Sequence, residues 1–127
     1  MENRYLYRGK TIRGDWVRGL LASKDNKWYI GNKVGRPLAF EIRPESICQC
    51  TGLRDKTGEL IFENDIMEAH IDEDFPEDVS RFKVEWNGKG WIENHPDGVD
   101  REYLDDFDTE HFKVVGNIFD NPELLEE

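Results

Sequence analysis

The stretch RFKVEWNGKGWIEN, residues 81–94, alternates apolar and polar side chains on both sides of an Asn-Gly dipeptide. A period of two is typical of a half-buried β-strand, because successive side chains point to opposite faces of a sheet. Asn87-Gly88 is the dipeptide that best supplies the two positive φ values of a type I′ turn. The stretch therefore predicts an antiparallel hairpin with strands at residues 81–86 and 91–94.

Short apolar segments bounded by turn residues continue on both sides of this hairpin. They predict further strands at residues 5–7, 16–21, 28–30, 38–42, 47–51, 60–62, 66–71 and 112–118. Residues 95–109 are polar and acidic, and one helical turn or an irregular loop would both fit there. Asn121 is a good N-cap and Pro122 suits the first helical position, so a short C-terminal helix is expected. Eight to ten strands with little helix predict a mainly β chain with a small antiparallel barrel-like fold.

The length and charge of the chain limit its organisation. Its 127 residues suit one domain spanning 1–127, with a division into 1–50 and 51–127 as the alternative. It has 17 Lys and Arg against 28 Asp and Glu, a net charge of −11. The charge is uneven, at +4 over residues 1–64 and −15 over residues 65–127. No apolar run reaches the roughly 18 residues of a membrane span, and the start lacks a signal peptide, so a cytoplasmic protein without membrane contact is expected.

The residue types that carry chemistry form no known catalytic or metal-binding motif. Cys48 and Cys50 lack further ligands at metal-site spacing and are expected to be buried, reduced thiols. The histidines at 70, 95 and 111 have no recognisable Ser, Cys or carboxylate partner. The acidic runs at 72–78 and 105–110 hold potential Ca²⁺ ligands and paired carboxylates, and solvated loops are the favoured interpretation. We therefore expect no cofactor, no metal and no enzymatic activity.

One segment is more specific than any of these patterns. Residues 51–66, here called the signature segment, read TGLRDKTGELIFENDI, and residues 115–125 read VGNIFDNPELL. Both resemble sequence elements of the YopX family. The resemblance implies a mostly β fold, a bacteriophage or prophage origin and no established biochemical activity. No catalytic residue is therefore carried over to this chain.

The signature segment has a structural interpretation and a functional one. Glycines at 52 and 58 allow turn conformations that other residues resist. Asp55 with Lys56 closes a turn, and Asp65 caps a strand through its carboxylate. Leu53, Ile61 and Ile66 are expected to share a core with Val84 and Val115. The alternative is that the polar turn residues contact a partner, with the candidates Gly52, Asp55, Lys56, Gly58 and Asp65.

Three functions from different classes remain open at this stage. The first, and favoured, is an adaptor that binds a host or phage protein, anchored by exposed Trp and Tyr residues if these cluster. The second is a nucleic-acid-linked role, either DNA mimicry by the acidic half or phosphate contact by the basic residues Arg4, Arg8, Lys10, Arg13 and Arg18. The overall acidity, with a pI near 4.7, argues against phosphate contact. The third is a structural homo-oligomer in which basic and acidic halves of neighbouring copies meet.

Overall fold

The computed structural model describes residues 5–31, 39–70, 74–75, 77–96 and 102–126. The described strands are β1 (Tyr7–Lys10), β2 (Trp16–Lys24), β3 (Lys27–Gly31), β4 (Ala39–Ile42), β5 (Cys48–Arg54), β6 (Leu60–Phe62), β7 (Asp65–Ala69), β8 (Ser80–Trp86), β9 (Trp91–Asn94) and β10 (Lys113–Asn117). One α-helix, α1, spans Asp106–His111, and 3₁₀ turns cover Pro44–Ser46 and Pro122–Leu125. The prediction of a mainly β, antiparallel chain is confirmed. The strands form two sheets, ordered β4-β3-β2-β1-β5-β6 and β10-β7-β8-β9, rather than one closed barrel in the described residues.

The chain divides into two compact units, residues 1–52 and 53–127. In the first unit, β2 and β3 form a hairpin whose two-residue loop holds Asp25 at φ 54° and Asn26 at φ 65°. Two positive φ values are what a type I′ turn requires. The tight two-residue hairpin turn therefore lies here.

The core of the first unit contains Ile30, Ile42 and the thiols of Cys48 and Cys50, all of them buried. Both cysteines are free, as expected. The sequence indicated that residues 8–10 end the first strand, whereas they belong to β1, which pairs with β2. Position 9 of this strand is occupied by glycine because a Cβ there would collide with the side chain of Ile42.

The second unit is built on the four-stranded sheet. Its core packs Ile61, Met67, Ala69, Phe82, Val84 and Phe112, with Trp91, Leu104 and Val114 against it. Ile66 is also fully buried. Two core predictions were wrong, because Leu53 is 38% exposed and Val115 is only half-buried. Leu53 lies near the end of β5, where the last three residues are exposed.

The central hairpin, β8 with β9, has the predicted strands but a different turn. Its loop has four residues, and only Gly88, at φ 92°, has a positive φ. The side chain of Asn87 explains the difference, because its Oδ1 accepts hydrogen bonds from the amides of Lys89 and Gly90, each at 2.9 Å. The carboxamide thus closes the loop in place of a positive φ at residue 87.

The two helical segments depart in part from expectation. Helix α1 begins after the N-cap Asp105, inside the segment 95–109 where one helical turn or a loop was considered, and it extends two residues beyond that segment to His111. The C-terminal helix is a 3₁₀ turn with Pro122 in its first positions, as predicted. Asn121 does not cap it through its side chain. Its Oδ1 instead accepts a hydrogen bond from the amide of Asn117, at 3.3 Å.

Candidate functional site

The turn of the signature segment is organised by one carboxylate. Asp55 Oδ1 accepts hydrogen bonds from the Thr57 amide at 2.8 Å, the Thr57 hydroxyl at 2.6 Å and the Glu59 amide at 3.0 Å. Its Oδ2 accepts from the amide of Val114 on β10, at 2.8 Å. Burial by itself raises the pKa of Asp55, but the hydrogen bonds from Thr57, Val114 and Glu59 outweigh it and hold the pKa below the usual value. The carboxylate therefore joins the turn to a strand 59 residues away.

The other candidates of the signature segment also have structural contacts. The amide of Lys56 donates to the carbonyl of Phe112 at 3.2 Å. Gly52 and Gly58 have φ values of 84° and 89°, the conformations that glycine was predicted to allow. Asp65 is buried, and its Oδ2 accepts from the amide of Phe62 at 2.7 Å.

A buried pair of carboxyl groups lies elsewhere in the second unit. Glu93 on β9 and Asp108 on α1 are 8% and 4% exposed, and their side chains hydrogen-bond to each other. Burial, then the hydrogen bond to Glu93, raises the pKa of Asp108 to about 8. Burial also raises the pKa of Glu93 and outweighs the hydrogen bond from Asp108, which lowers it, while Glu102 and Asp105 add to the rise. The pair therefore shares one proton at neutral pH, with Asp108 as the protonated partner.

This pair is connected to a histidine and to the start of a helix. His95 Nε2 lies 2.7 Å from Glu93 Oε1, and its ring packs on Phe82 with centroids 5.4 Å apart. Asp108 Oδ2 accepts from the amide of Asp105 at 3.1 Å, while Asp105 Oδ1 accepts from the amide of Asp108, also at 3.1 Å. The reciprocal bonds form a capping box, so the protonated carboxyl also holds the first turn of α1.

Sequence reasoning missed this arrangement. His95 was interpreted as a surface or core residue outside any nucleophile–base motif, and Asp108 was assigned to a solvated cluster. Glu93 is two residues from His95 on an extended segment, and that spacing was the available signal, because residues i and i+2 share a face. Nothing in the sequence pairs Glu93 with Asp108, which lies on another element. Asp105, Asp106 and Glu110 are exposed, as expected for a solvated cluster.

A cavity of about 300 Å³ lies beside His95, lined also by Ser80, Arg81, Leu124, Leu125 and Glu126. Its basic side chains already have carboxylate partners. Arg81 Nε is 2.8 Å from Glu68 Oε2, and His95 bonds to Glu93. Because Glu126 adds a negative charge, the cavity does not favour an anion. Among the described residues, no group of three or more His, Cys, Asp or Glu side chains is placed to hold a metal ion.

Exposed aromatic side chains surround the loop that joins β8 and β9. Trp86 is 46% exposed and Tyr103 is 54% exposed, while Trp91 is half-buried. The rings of Trp86 and Trp91 have centroids 5.0 Å apart. Tyr103 lies beside β9, where it pairs with Ile92, and its hydroxyl accepts from Asn87 Nδ2 at 3.4 Å. We call Trp86, Trp91 and Tyr103 the hairpin tip.

The comparison with known families agrees with the resemblance of the signature segment. A family model described as YopX protein matches residues 9–126. The chain belongs to the YopX family. No curated protein matches it. In this YopX-family chain, no described helix combines the length and the apolar character that a bilayer span needs.

The basic residues considered for phosphate contact lie in the first unit of this YopX-family chain. Arg8 and Lys10 on β1 are cross-strand partners of Arg18 and Trp16 on β2, so the four side chains share one face. The Arg8 guanidinium lies 4.9 Å and the Lys10 ammonium 5.4 Å from the Trp16 ring centroid. Arg13 lies in the following turn. Arg4 lies outside the described residues, as do Asp72, Glu73 and Pro76 of the first acidic run.

We expect Gly58→Val to lower the melting temperature by several degrees, because a β-branched residue at φ 89° is strained by about 1–3 kcal/mol. No atom lies within 4 Å of a Cβ at this position, so the loss reports backbone strain alone. Gly58→Asn is the matched control, since asparagine tolerates the left-handed region better. Thermal unfolding of both variants measures the difference. An unchanged melting temperature together with lost partner binding would show that the turn is a contact surface instead.

Proposed function

We propose that this YopX-family protein is a phage- or prophage-encoded accessory protein that acts in the cytoplasm by binding another protein, without catalysing a reaction. The observation that carries the proposal is the hairpin tip. Trp86 and Trp91 form an aromatic pair at one end of a sheet, Tyr103 lies beside the same loop on the opposite face of the hairpin, and Trp86 and Tyr103 are about half exposed. Trp and Tyr are enriched among the residues that dominate the binding energy of protein interfaces.

Hydrogen bonds hold the hairpin tip in place, which favours binding without a large loss of conformational entropy. Asn87 Oδ1 closes the loop through two backbone amides, and Asn87 Nδ2 donates to Tyr103. The amide of Leu104 donates to the carbonyl of Trp91 at 2.9 Å, and this bond holds the backbone next to Tyr103 against β9. Rigid aromatic side chains lose little conformational entropy when they bind, so more of the contact energy appears as affinity.

The non-enzymatic part of the proposal is supported by what the buried carboxyl groups do. Asp108 holds the first turn of α1 through the Asp105 amide, and Glu93 binds both Asp108 and His95. Arg81, which lines the same cavity as His95, is bonded to Glu68 and to the carbonyl of Leu124. Each of these groups thus has a role within the fold.

The test is affinity capture from host lysate with tagged wild type, Trp86→Ala and Trp28→Ala. Trp28 is the matched control, since it is also an exposed strand tryptophan, at 38%, and lies in the other unit. We expect wild type and Trp28→Ala to retain the same protein after nuclease treatment. Trp86→Ala is expected to retain at least tenfold less, the loss typical of a binding hot spot.

Circular dichroism must first show that both variants are folded. Equal capture by all three proteins would contradict the assignment to the hairpin tip. Capture that disappears with nuclease would instead favour the nucleic-acid role, with Arg8, Lys10, Arg13 and Arg18 as the next residues to replace.

A further inference from the structure

Strand β9 is the edge strand of the four-stranded sheet, and the segment 102–104 runs along its outer side. The amide of Glu93 donates to the carbonyl of Glu102 at 2.8 Å, and the amide of Leu104 donates to the carbonyl of Trp91 at 2.9 Å. Backbone bonds in this alternating pattern are those of an antiparallel strand pair. We call residues 102–104 the edge segment. It covers the edge of β9 beside the hairpin tip, and helix α1 begins two residues after it.

Asp108 joins this edge segment to α1 and to β9. Its Oδ2 accepts from the amide of Asp105, the residue that follows the edge segment. Its carboxyl group also hydrogen-bonds to Glu93 on β9, and its backbone carbonyl accepts from the amide of Phe112 in the core at 2.9 Å. Asp108 is the buried residue of α1, and the other side chains of that six-residue helix are exposed or half-buried. The helix is therefore held in place by this carboxyl group more than by apolar packing.

The contact between the two carboxyl groups depends on one proton. Ionised carboxylates only accept hydrogen bonds, so Glu93 and Asp108 bond to each other only while one of them is protonated. Both are buried, and water therefore solvates a second negative charge poorly. Burial, then the hydrogen bond to Glu93, raises the pKa of Asp108 to about 8, so the second charge develops just above neutral pH.

The elements around the pair add mainly negative charge. Glu102 and Asp105 raise the pKa of Glu93 directly. On β8, the residue opposite Glu93 is the apolar Val84. The acidic side chains of the edge segment, the N-cap, α1 and the cavity beside His95 are Glu102, Asp105, Asp106, Glu110 and Glu126.

The basic side chains that these elements bring towards the pair are already engaged. His95 bonds to Glu93 from the end of β9, and it is positively charged only when protonated. Arg81 on β8 lines the cavity beside His95 and bonds to a carboxylate on β7. His111, in the last turn of α1, bonds to the carbonyl of Phe107 in its own helix. These groups therefore do not compensate a second negative charge on the pair above neutral pH.

We propose that the Glu93–Asp108 pair is a proton-dependent latch, which holds α1 and the edge segment on β9 while it is protonated and releases them when its proton is lost. Without the proton, two buried charges at hydrogen-bonding distance repel each other, and movement of α1 into water relieves the repulsion. The helix has little buried apolar surface to oppose this movement.

Release of the edge segment changes the hairpin tip. Tyr103 belongs to the edge segment and leaves its place beside Ile92, and the backbone edge of β9 becomes accessible. This consequence for binding rests on the proposed function, whereas the latch itself does not.

The test is carbon-detected NMR of wild type and three variants over about pH 6 to 9, which does not depend on amide protons that exchange rapidly at high pH. In wild type, we expect the carboxyl carbons of Glu93 and Asp108 to titrate together with a midpoint near pH 8. The Cα shifts of residues 106–111 are expected to move from helical towards random-coil values with the same midpoint, while those of β7 stay unchanged. Asp106→Asn is the matched control, since it removes an exposed carboxylate of the same helical turn and should behave as wild type.

Asp108→Asn and Glu93→Gln are expected to keep α1 helical up to pH 9, because each places a permanent hydrogen between the two side chains. Asparagine at 108 donates to Glu93. Glutamine at 93 donates to Asp108 and still accepts from His95. The two variants supply the same hydrogen from opposite sides, so the test remains informative when one of them fails to fold.

Three results would overturn the inference. The first is a constant shift of both carboxyl carbons in wild type across this pH range. The second is a loss of helical shifts in Asp108→Asn and Glu93→Gln at the same pH as in wild type. The third is a simultaneous loss of structure in α1 and β7, which is global unfolding and not release of a latch. Because no partner is present in these samples, failure of the latch is distinguished from failure of the proposed function, which the capture experiment with Trp86→Ala decides.

Discussion

Asp55→Ala is expected to lower the free energy of unfolding of the second unit by about 3 kcal/mol and its melting temperature by roughly 10 °C. The substitution leaves the amides of Thr57, Glu59 and Val114 without the carboxylate that they share. Buried donors that lose a charged acceptor cost more than the mean hydrogen bond, because they lose their hydration as well. Asp55 is 6% exposed, so water replaces the carboxylate poorly.

Asp55→Asn tests whether the charge or only the shape is needed. Oδ1 and Oδ2 both accept from amides, so in either orientation the carboxamide NH₂ faces an N–H donor. We therefore expect Asp55→Asn to be destabilised nearly as much as Asp55→Ala in calorimetric unfolding. Asp25→Asn is the control, because Asp25 is an exposed turn residue whose φ of 54° suits asparagine. A melting temperature within one or two degrees of wild type for Asp55→Ala would contradict the structural role.

The pH dependence of this contribution has a definite sign. The native pKa of Asp55 is held below its usual 3.8. Its contribution to stability is therefore fully present above that value and is lost as the pH falls through the lowered native pKa. The difference in melting temperature between wild type and Asp55→Ala should shrink below pH 4.

Asp108→Asn is expected to make the protein more stable than wild type at pH 9, whereas Asp55→Ala makes it less stable. The native pKa of Asp108 is about 8, far above its usual 3.8. Between these two values the native state holds a proton that the unfolded state has released, so wild type loses stability as the pH rises from about 4 to about 8. Asparagine carries the equivalent hydrogen permanently. It donates to Glu93 and still accepts from the Asp105 amide at any pH.

Melting curves of wild type, Asp108→Asn and Asp106→Asn over pH 5 to 9 measure this effect. Asp106 is the matched control, since it is the exposed carboxylate in the same first turn of α1. The wild-type and Asp106→Asn curves are expected to fall together, while the Asp108→Asn curve stays flatter and crosses them. Three parallel curves would show that Glu93 and Asp108 do not share a proton.

The turns and the alternating strands were predictable because their determinants are local. Gly58 needs a positive φ whatever surrounds it, and the alternation over residues 81–86 defines a half-buried strand by itself. The type of the hairpin turn was not predictable from Asn-Gly alone. An Asn-Gly dipeptide is compatible both with a two-residue type I′ turn and with the four-residue loop found here, which the Asn87 side chain closes through hydrogen bonds to two amides.

The contacts between distant segments were outside the reach of sequence patterns. Asp55 was expected to close its own turn, and it does, but its bond to Val114 joins segments 59 residues apart. Glu93 and Asp108 can share a proton only because β9 and α1 pack against each other, which no local sequence pattern predicts. The clustering of the aromatic side chains was anticipated only as a condition. The structure brings Trp86 and Trp91 together, while Tyr103 lies beside the same loop on the opposite face of the hairpin.

The claim that the hairpin tip is the contact surface is tested most directly by hydrogen–deuterium exchange of the protein alone and in complex with the captured partner. We predict that protection on binding is concentrated in peptides covering residues 86–91 and 102–104, with the signature turn at 55–59 unchanged. Protection at 55–59 with no change around Trp86 would contradict the account, because it would place the contact on the turn that we interpret as structural.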